Sequence, residues 1–151
     1  MSVAVENLLI TKLIKYLNKN MDEIGLPCKV WNNEHPARGE ALWVQPNGGQ
    51  REFKWYVGGS YGGRFPFTLC YQMTGAENVE GRRACLDIPA YSLGKWCDEH
   101  KTIQLDESTT VTMEMQTHPA LSYVSDDGQT VQHDAVFVIE YRGKKTYFKG
   151  E

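Results

Sequence analysis

The stretch ALSYVSDDGQTVQHDAVFVIEYR, residues 120–142, decides the fold class of this chain. Its Asp-Gly pair lies between two runs of alternating apolar and polar residues, which is a strong signal for a β-hairpin. In the second run six side chains share one face, and Val136 and Val138 are apolar on the opposite face. We therefore expect the last strand to be buried on both faces and to lie in the middle of a sheet. The six are Val131, His133, Ala135, Phe137, Ile139 and Tyr141.

Further strand signals fill most of the remaining sequence. They are CKVWNN, EALWVQ, REFKWYV, FPFTLCYQM, KTIQLD and TVTMEMQ. The segment PNGGQ separates the second run from the third with residues that tolerate a positive φ, so it predicts a hairpin between them. The first four strands would then form an antiparallel meander, with Trp43 and Trp55 as cross-strand neighbours.

Two segments have helical periodicity. Between residues 5 and 24 apolar side chains recur every three or four positions, and Gly25 and Pro27 predict the end of this helix. Residues 77–100 are also helical in pattern, but Pro89 predicts a kink, or two short helices with Asp87 capping the second. Their predicted inner side chains are Ala84, Cys85, Ile88, Leu93, Trp96 and Cys97.

The order helix, strands, helix, strands, with hairpin connections, indicates an α+β protein. We expect a mainly antiparallel β-sheet with two α-helices packed on it. The 151 residues match the size of one domain, and the sequence contains no repeat or linker, so a single domain is expected over residues 1–151.

The glycine-rich segment in WYVGGSYGGRFPFTLCYQM, residues 55–73, invites comparison with a phosphate-binding loop. Its glycines match neither nucleotide-binding spacing, and the next segment alternates like a strand instead of forming a helix. A mobile connection between strands is the favoured interpretation, and this connection is the candidate contact loop for assembly with other subunits. Its residues are Gly58, Gly59, Ser60, Tyr61, Gly62, Gly63 and Arg64.

Composition and charge narrow the functional classes. The net charge is −3, and the main local excess of basic residues is near the C-terminus, so a dedicated DNA-binding surface is not indicated. The four cysteines lack the C-x-x-C spacing of zinc or thiol-exchange sites and are expected to be buried, reduced thiols. No signal sequence or membrane span is predicted, which indicates a protein made in the cytoplasm.

Catalytic motifs are missing as well. The histidines lack the i, i+4 spacing of a zinc hydrolase, no serine lies in a G-x-S-x-G setting, and the adjacent aspartates 126 and 127 suit a turn. We therefore predict no enzyme activity, no cofactor and no metal, although a small-molecule enzyme that uses the sheet face is a third possible class. The crowded aromatic residues of the first strands leave one alternative from another class, a single-stranded nucleic-acid-binding module that stacks bases.

Four segments together resemble the minor capsid proteins of tailed bacteriophages, which are similar to the tail terminators of siphophages. They are the first amphipathic helix, the strand VGGSYGGRFPFTLCYQM, the helix GRRACLDIPAYSLGKWCDE and the hairpin MEMQTHPALSYVSDDGQTVQHDAVFVIEY. The resemblance extends over nearly the whole chain. The sequence departs from the family pattern at Pro89, a position at which similar proteins continue the helix without a break.

This resemblance implies a virion structural protein at the head–tail junction. It implies a ring of copies, a hexamer on a sixfold tail tube, that caps the tube and joins it to the neck. The implied partners are other copies of the chain, the major tail tube protein and a head-completion or neck protein. DNA would pass through the ring without specific binding, and no membrane would be involved.

Overall fold

The computed structural model of the protein describes residues 2–75 and 85–144. Three helices and eight strands lie in this part of the chain. The helices are α1 (Ser2–Lys19), α2 (Met21–Ile24) and α3 (Ile88–Glu99). The strands are β1 (Val30–Asn32), β2 (Ala41–Pro46), β3 (Glu52–Trp55), β4 (Tyr61–Thr74), β5 (Ile103–Asp106), β6 (Thr109–Met115), β7 (Ala120–Val124) and β8 (Thr130–Gly143).

All eight strands belong to one sheet with the order β1-β2-β4-β8-β6-β5, in which β3 also pairs with β4 and β7 with β8. The long strands β4 and β8 form its centre and pair along 14 positions, from Tyr61↔Gly143 to Thr74↔Thr130. The expected central position of the last strand and the Asp-Gly hairpin before it are both confirmed, with Gly128 at a φ of 72°. The protein is thus predominantly β, as predicted.

The sheet is mixed, not purely antiparallel. Strand β1 runs parallel to β2, with Val30 opposite Leu42, so the expected antiparallel meander of the first four strands is wrong. A parallel pair needs a crossover, and the chain between Asn33 and Glu40 supplies one across the sheet. It places the imidazole of His35 on Trp43, with ring centroids 3.5 Å apart.

The predicted hairpin between β2 and β3 is also wrong. Both strands pair with β4, β2 with its second half and β3 with its first half. Strand β4 is long enough to pair with both strands along the same edge. The segment PNGGQ therefore connects β2 to β3 along that edge of β4, and it does not fold β3 back onto β2. Trp43 therefore lies opposite Cys70 and Trp55 opposite Tyr61, so the two tryptophans are not neighbours.

The helices cover one face of the sheet, here called the inner face. Helix α1 contacts β1 and β5 while α3 contacts β6, and their apolar sides join the main core. The predicted first helix is divided at Asn20, and its end at Gly25 is confirmed by a φ of 91° and a bond from the Gly25 N–H to the Met21 carbonyl. A third helix, α2, therefore adds to the two expected.

The second predicted helix begins at Ile88 in the described part of the chain, and its expected first half, at residues 77–84, lies outside the described residues. Pro89 occupies the first turn, where its missing N–H removes no helical hydrogen bond. Asp87 holds the predicted N-cap position, but its carboxylate makes no cap bond and instead lies 2.6 Å from His133 Nδ1. Of the expected inner residues, Leu93 and Cys97 are buried, whereas Cys85 and Ile88 are exposed.

Candidate functional site

The glycine-rich segment forms a compact turn followed by a strand. The Tyr56 N–H donates to the Ser60 carbonyl at 2.9 Å, and Gly58 and Gly59 have φ values of 96° and 89°, which favour glycine. The next four residues of the candidate contact loop, Tyr61, Gly62, Gly63 and Arg64, belong to β4 and pair with β3 on one side and β8 on the other. The expected connection over residues 58–64 is thus too long: the turn ends at Ser60, and the strand that was expected from Phe65 already begins at Tyr61.

Two glycines in this region make room for aromatic rings. Gly63 lies opposite Tyr141 and Gly143 lies opposite Tyr61 in the β4–β8 register. A Cβ on Gly63 would overlap the Tyr141 ring and the Glu52 carbonyl, and one on Gly143 would overlap the Tyr61 ring. These glycines therefore permit close packing, a role that the sequence-based interpretation as a mobile connection did not include.

The tyrosines belong to an aromatic cluster on the inner face. The Tyr61 and Tyr141 ring centroids are 6.4 Å apart, and Phe65 lies 5.8 Å from Tyr141 on the other side. The Tyr141 hydroxyl is buried and has no hydrogen-bond partner among the described residues. Burial, followed by the nearby Glu6 and Tyr61, raises the pKa of Tyr141 to about 12. This hydroxyl is therefore neutral and packs as part of the core.

On the opposite, outer face, two cations flank Gly62. Lys54, Gly62, Arg142 and Thr110 are aligned across β3, β4, β8 and β6. Because Gly62 has no side chain, the Tyr56 ring lies over it, with Cε2 3.2 Å from the position that a Cβ would take. The Arg142 guanidinium lies 5.0 Å from the centroid of the same ring, which is a cation–π distance.

The next row of the outer face has mixed charge. Arg64 lies between Glu52 and Glu140 in the register, and its Nε is 3.6 Å from Glu140 Oε1. The two rows line a depression of about 380 Å³, here called the outer groove. The residues that define it are Glu52, Lys54, Tyr56, Gly62, Arg64, Glu140 and Arg142. Within residues 2–75 and 85–144 no ion pair includes Lys54 or Arg142, so two cationic donors of the groove are available to a ligand.

Exposed apolar side chains concentrate at the two ends of the central strands. At the β3–β4 turn Trp55 and Tyr56 are half-exposed and Val57 is fully exposed. At the other end every residue of β7 is exposed, including Leu121 and Tyr123, and β7 pairs only with β8 in the described part of the chain. These two clusters are surfaces with which the protein can make apolar contacts.

The imidazoles take part in local contacts. His118 Nδ1 lies 3.2 Å from the Tyr91 hydroxyl, His100 stacks on Trp96, and His133 is paired with Asp87. No group of three or more metal-ligating side chains is found in the described ranges. Among the residues that the structure describes, His133 and Asp87 form an imidazole–carboxylate pair, and no serine, threonine or cysteine side chain is hydrogen-bonded to the His133 ring.

The thiols divide by burial. Cys28, Cys70, Cys85 and Cys97 are all free, but only Cys70 and Cys97 are buried; Cys28 is half-buried and Cys85 is exposed, which corrects the expectation of four buried thiols. Burial, and then Glu40, raises the pKa of Cys28 to about 11, while burial and Asp98 raise that of Cys97 to about 12. Burial likewise raises the pKa of Cys70. These three thiols are therefore protonated near neutral pH and are poor nucleophiles.

Only part of the predicted contact loop lies in the same groove as the available cations Lys54 and Arg142. Gly62 and Arg64 line the outer groove, while Gly58 and Gly59 form the turn beside it. Lys54, Tyr56 and Arg142 were missed, because their alignment depends on β3 pairing with β4 and not with β2. One signal for the groove was present in the sequence: the alternation in REFKWYV puts Lys54 and Tyr56 on the same face of a strand.

None of the helices in the described residues is long and apolar enough to cross a membrane. A scan against models of known protein families gives no match, and neither does a search of the curated proteins.

Proposed function

We propose that this protein is a structural subunit of a tailed-bacteriophage virion, a tail terminator or minor capsid protein at the head–tail junction. The sequence resemblance suggests this role. The structural observation that supports it best is β7, an edge strand whose five residues are all exposed and which carries three large apolar side chains. Single soluble domains usually protect such an edge, and a subunit that assembles uses it.

In this role the protein occupies an interface and needs no activated nucleophile. Copies of the chain form a closed ring, a hexamer on a sixfold tail tube, because repeated head-to-tail contacts close when the rotation fits. The other partners are the major tail tube protein and a head-completion or neck protein. DNA passes through the ring without specific binding, in keeping with the net charge of −3.

Electron microscopy of tails assembled with and without the protein tests this proposal. We expect tubes of uniform length that carry labelled protein at one end, and tubes without the protein that vary in length and do not join heads. Label along the tube, or normal length and head joining without the protein, would refute the terminator role. A thiol label is suitable, because Cys85 is exposed while Cys70 and Cys97 are buried.

One observation favours the alternative of a single-stranded nucleic-acid-binding module. Tyr56 is 39% exposed and lies beside Lys54 and Arg142, which is a combination of a stacking ring and cations. Trp43, by contrast, is 2% exposed and unavailable for stacking. Fluorescence anisotropy with labelled oligothymidine over a range of salt concentrations tests this function, which requires binding that weakens steeply with salt.

A further inference from the structure

We propose that the outer groove receives the β7–β8 turn of a second copy of this chain, with the Asp126 carboxylate bound between Lys54 and Arg142. This inference names the subunit contact of the proposed ring, and it rests on that proposed function only for the ring's biological setting. Four features of the described residues support it: the donors in the groove, the mixed charge around them, the free carboxylate of the turn and the positions of both on the subunit.

The groove contains three side chains that can donate hydrogen bonds to a ligand: Lys54, Tyr56 and Arg142. Lys54 and Arg142 are separated by Gly62, so their Cα atoms are about 10 Å apart, two strand spacings. The Tyr56 ring covers the space between them, and its hydroxyl oxygen lies 3.5 Å from the position of an added Cβ on Gly62. The groove is thus lined by an ammonium, a guanidinium and a phenol hydroxyl, three groups that can donate to a carboxylate.

The second row of the groove argues against a polyanion. Glu52 and Glu140 lie on either side of Arg64, so this row carries a net negative charge. A nucleic-acid strand that entered the groove would place successive phosphates near these carboxylates, at a Coulombic cost. A protein segment with one unpaired carboxylate avoids most of that cost, and we therefore favour a protein ligand.

The β7–β8 turn supplies such a carboxylate. Asp127 is occupied, because it accepts hydrogen bonds from Ser125 Oγ and the Gln129 N–H and pairs with Arg38 at 3.2 Å. Asp126 is exposed and forms no ion pair with another described residue. The turn is therefore held in shape by one aspartate while the other is available for contact.

The two surfaces lie at opposite ends of the subunit. The turn precedes the first residue of β8, and Arg142 lies near its last, so the 14 residues of this strand place them roughly 40 Å apart. Exposed apolar side chains lie at both ends, since Leu121 and Tyr123 precede the turn, while the half-exposed Tyr56 lines the groove and the exposed Val57 follows it in the chain. A contact between opposite ends is heterologous, and such contacts generate rings or filaments.

Self-association measured by sedimentation velocity at low salt, over the full accessible concentration range, tests the inference. We expect association of the wild-type protein that weakens as salt is added. The double variant Lys54→Glu/Arg142→Glu and the variant Asp126→Lys should each weaken it at least tenfold. The triple variant that combines all three changes restores opposite charges across the contact, and it should regain most of the wild-type association.

The matched control is Lys15→Glu/Lys19→Glu, which changes the net charge by the same amount at two exposed lysines of α1. Circular dichroism confirms that each variant is folded. The inference is overturned if the wild-type protein stays monomeric at its highest concentration, if the triple variant does not recover, or if the control weakens association equally. Binding of oligothymidine that Lys54→Glu/Arg142→Glu abolishes, without any self-association, would assign the groove to nucleic acid instead.

This solution experiment uses no phage component, so its failure is distinct from failure of the proposed function. Capped tails formed with the Lys54→Glu/Arg142→Glu variant would refute the groove contact alone. Association through the groove with no effect of the protein on tails would refute the head–tail role alone.

Discussion

At Gly63 the chain has no space for even a methyl group, because the Tyr141 ring and the Glu52 carbonyl lie where a Cβ would be. Gly63→Ala should therefore destabilise the protein by about 1–3 kcal/mol, the usual cost of adding a methyl group to a packed site. Chemical denaturation measures the change. Gly48→Ala is the control, since an added Cβ there meets nothing within 4 Å. Equal stability of the two variants would show that β4 shifts freely at Gly63.

Trp43 gives a second prediction at the residue scale. It is 2% exposed, and it forms a small core with Ala41 and Cys70 on the outer face, under the imidazole of His35. Trp43→Ala should cost about 3–5 kcal/mol in the free energy of unfolding. Trp55→Ala is the comparison, and it should cost less because Trp55 is 45% exposed. A reversed order in denaturation experiments would contradict the assignment of Trp43 to the core.

Among the elements, α1 is tied to β5 by one ion pair. Lys12 Nζ lies 2.6 Å from Asp106 Oδ2, and it also donates to Thr109 Oγ1 at 3.1 Å. Partial burial raises the pKa of Asp106, but hydrogen bonds from Lys12 and Ser108 outweigh it and lower the pKa to about 2. The pair therefore holds the first helix to the sheet through an ionised carboxylate.

The sign of the pH dependence follows from these values. The folded pKa of about 2 is below the unfolded value of about 3.9, so the stabilisation is complete above pH ~4 and is lost as the pH falls through about 2. Because Asp106 is 38% exposed, Asp106→Asn should cost less than about 1 kcal/mol at pH 6 and almost nothing at pH 2. Urea denaturation at both pH values measures this. Glu107→Gln, at an exposed neighbouring carboxylate, should show no such difference.

The elements also show which parts of the fold were predictable. The central β8 strand and the end of the first helix at Gly25 follow from local signals, namely alternation, an Asp-Gly turn and a glycine that accepts positive φ. The partner of β3 does not, because the same alternating strand can pair on either side, and the choice depends on β4 being long enough for two partners. The outer groove was missed for this reason: Lys54 and Arg142 are 88 positions apart, and only the register aligns them.

For the whole molecule, the open edge of β7 gives a prediction about assembly. Leu121→Lys/Tyr123→Lys should leave the monomer within about 0.5 kcal/mol of wild-type stability, because both side chains are exposed. The same change should prevent capping of tails, since lysines on an edge strand oppose pairing and apolar contact. Thermal denaturation and electron microscopy of assembled tails measure the two effects. The variant Lys15→Glu/Lys19→Glu, which changes exposed residues of α1 instead, should cap normally, and normal capping by the β7 variant would place the contact elsewhere.

The 14 paired positions of β4 and β8 also determine how the subunit responds to mechanical tension. Antiparallel hydrogen bonds run perpendicular to the strands, so a pull applied along the strands loads them in shear. All rungs of the ladder then resist together, whereas a pull across the strands would open them one after another from an end. The subunit is therefore stiffest and strongest along the line that joins the β3–β4 turn to the β7–β8 turn.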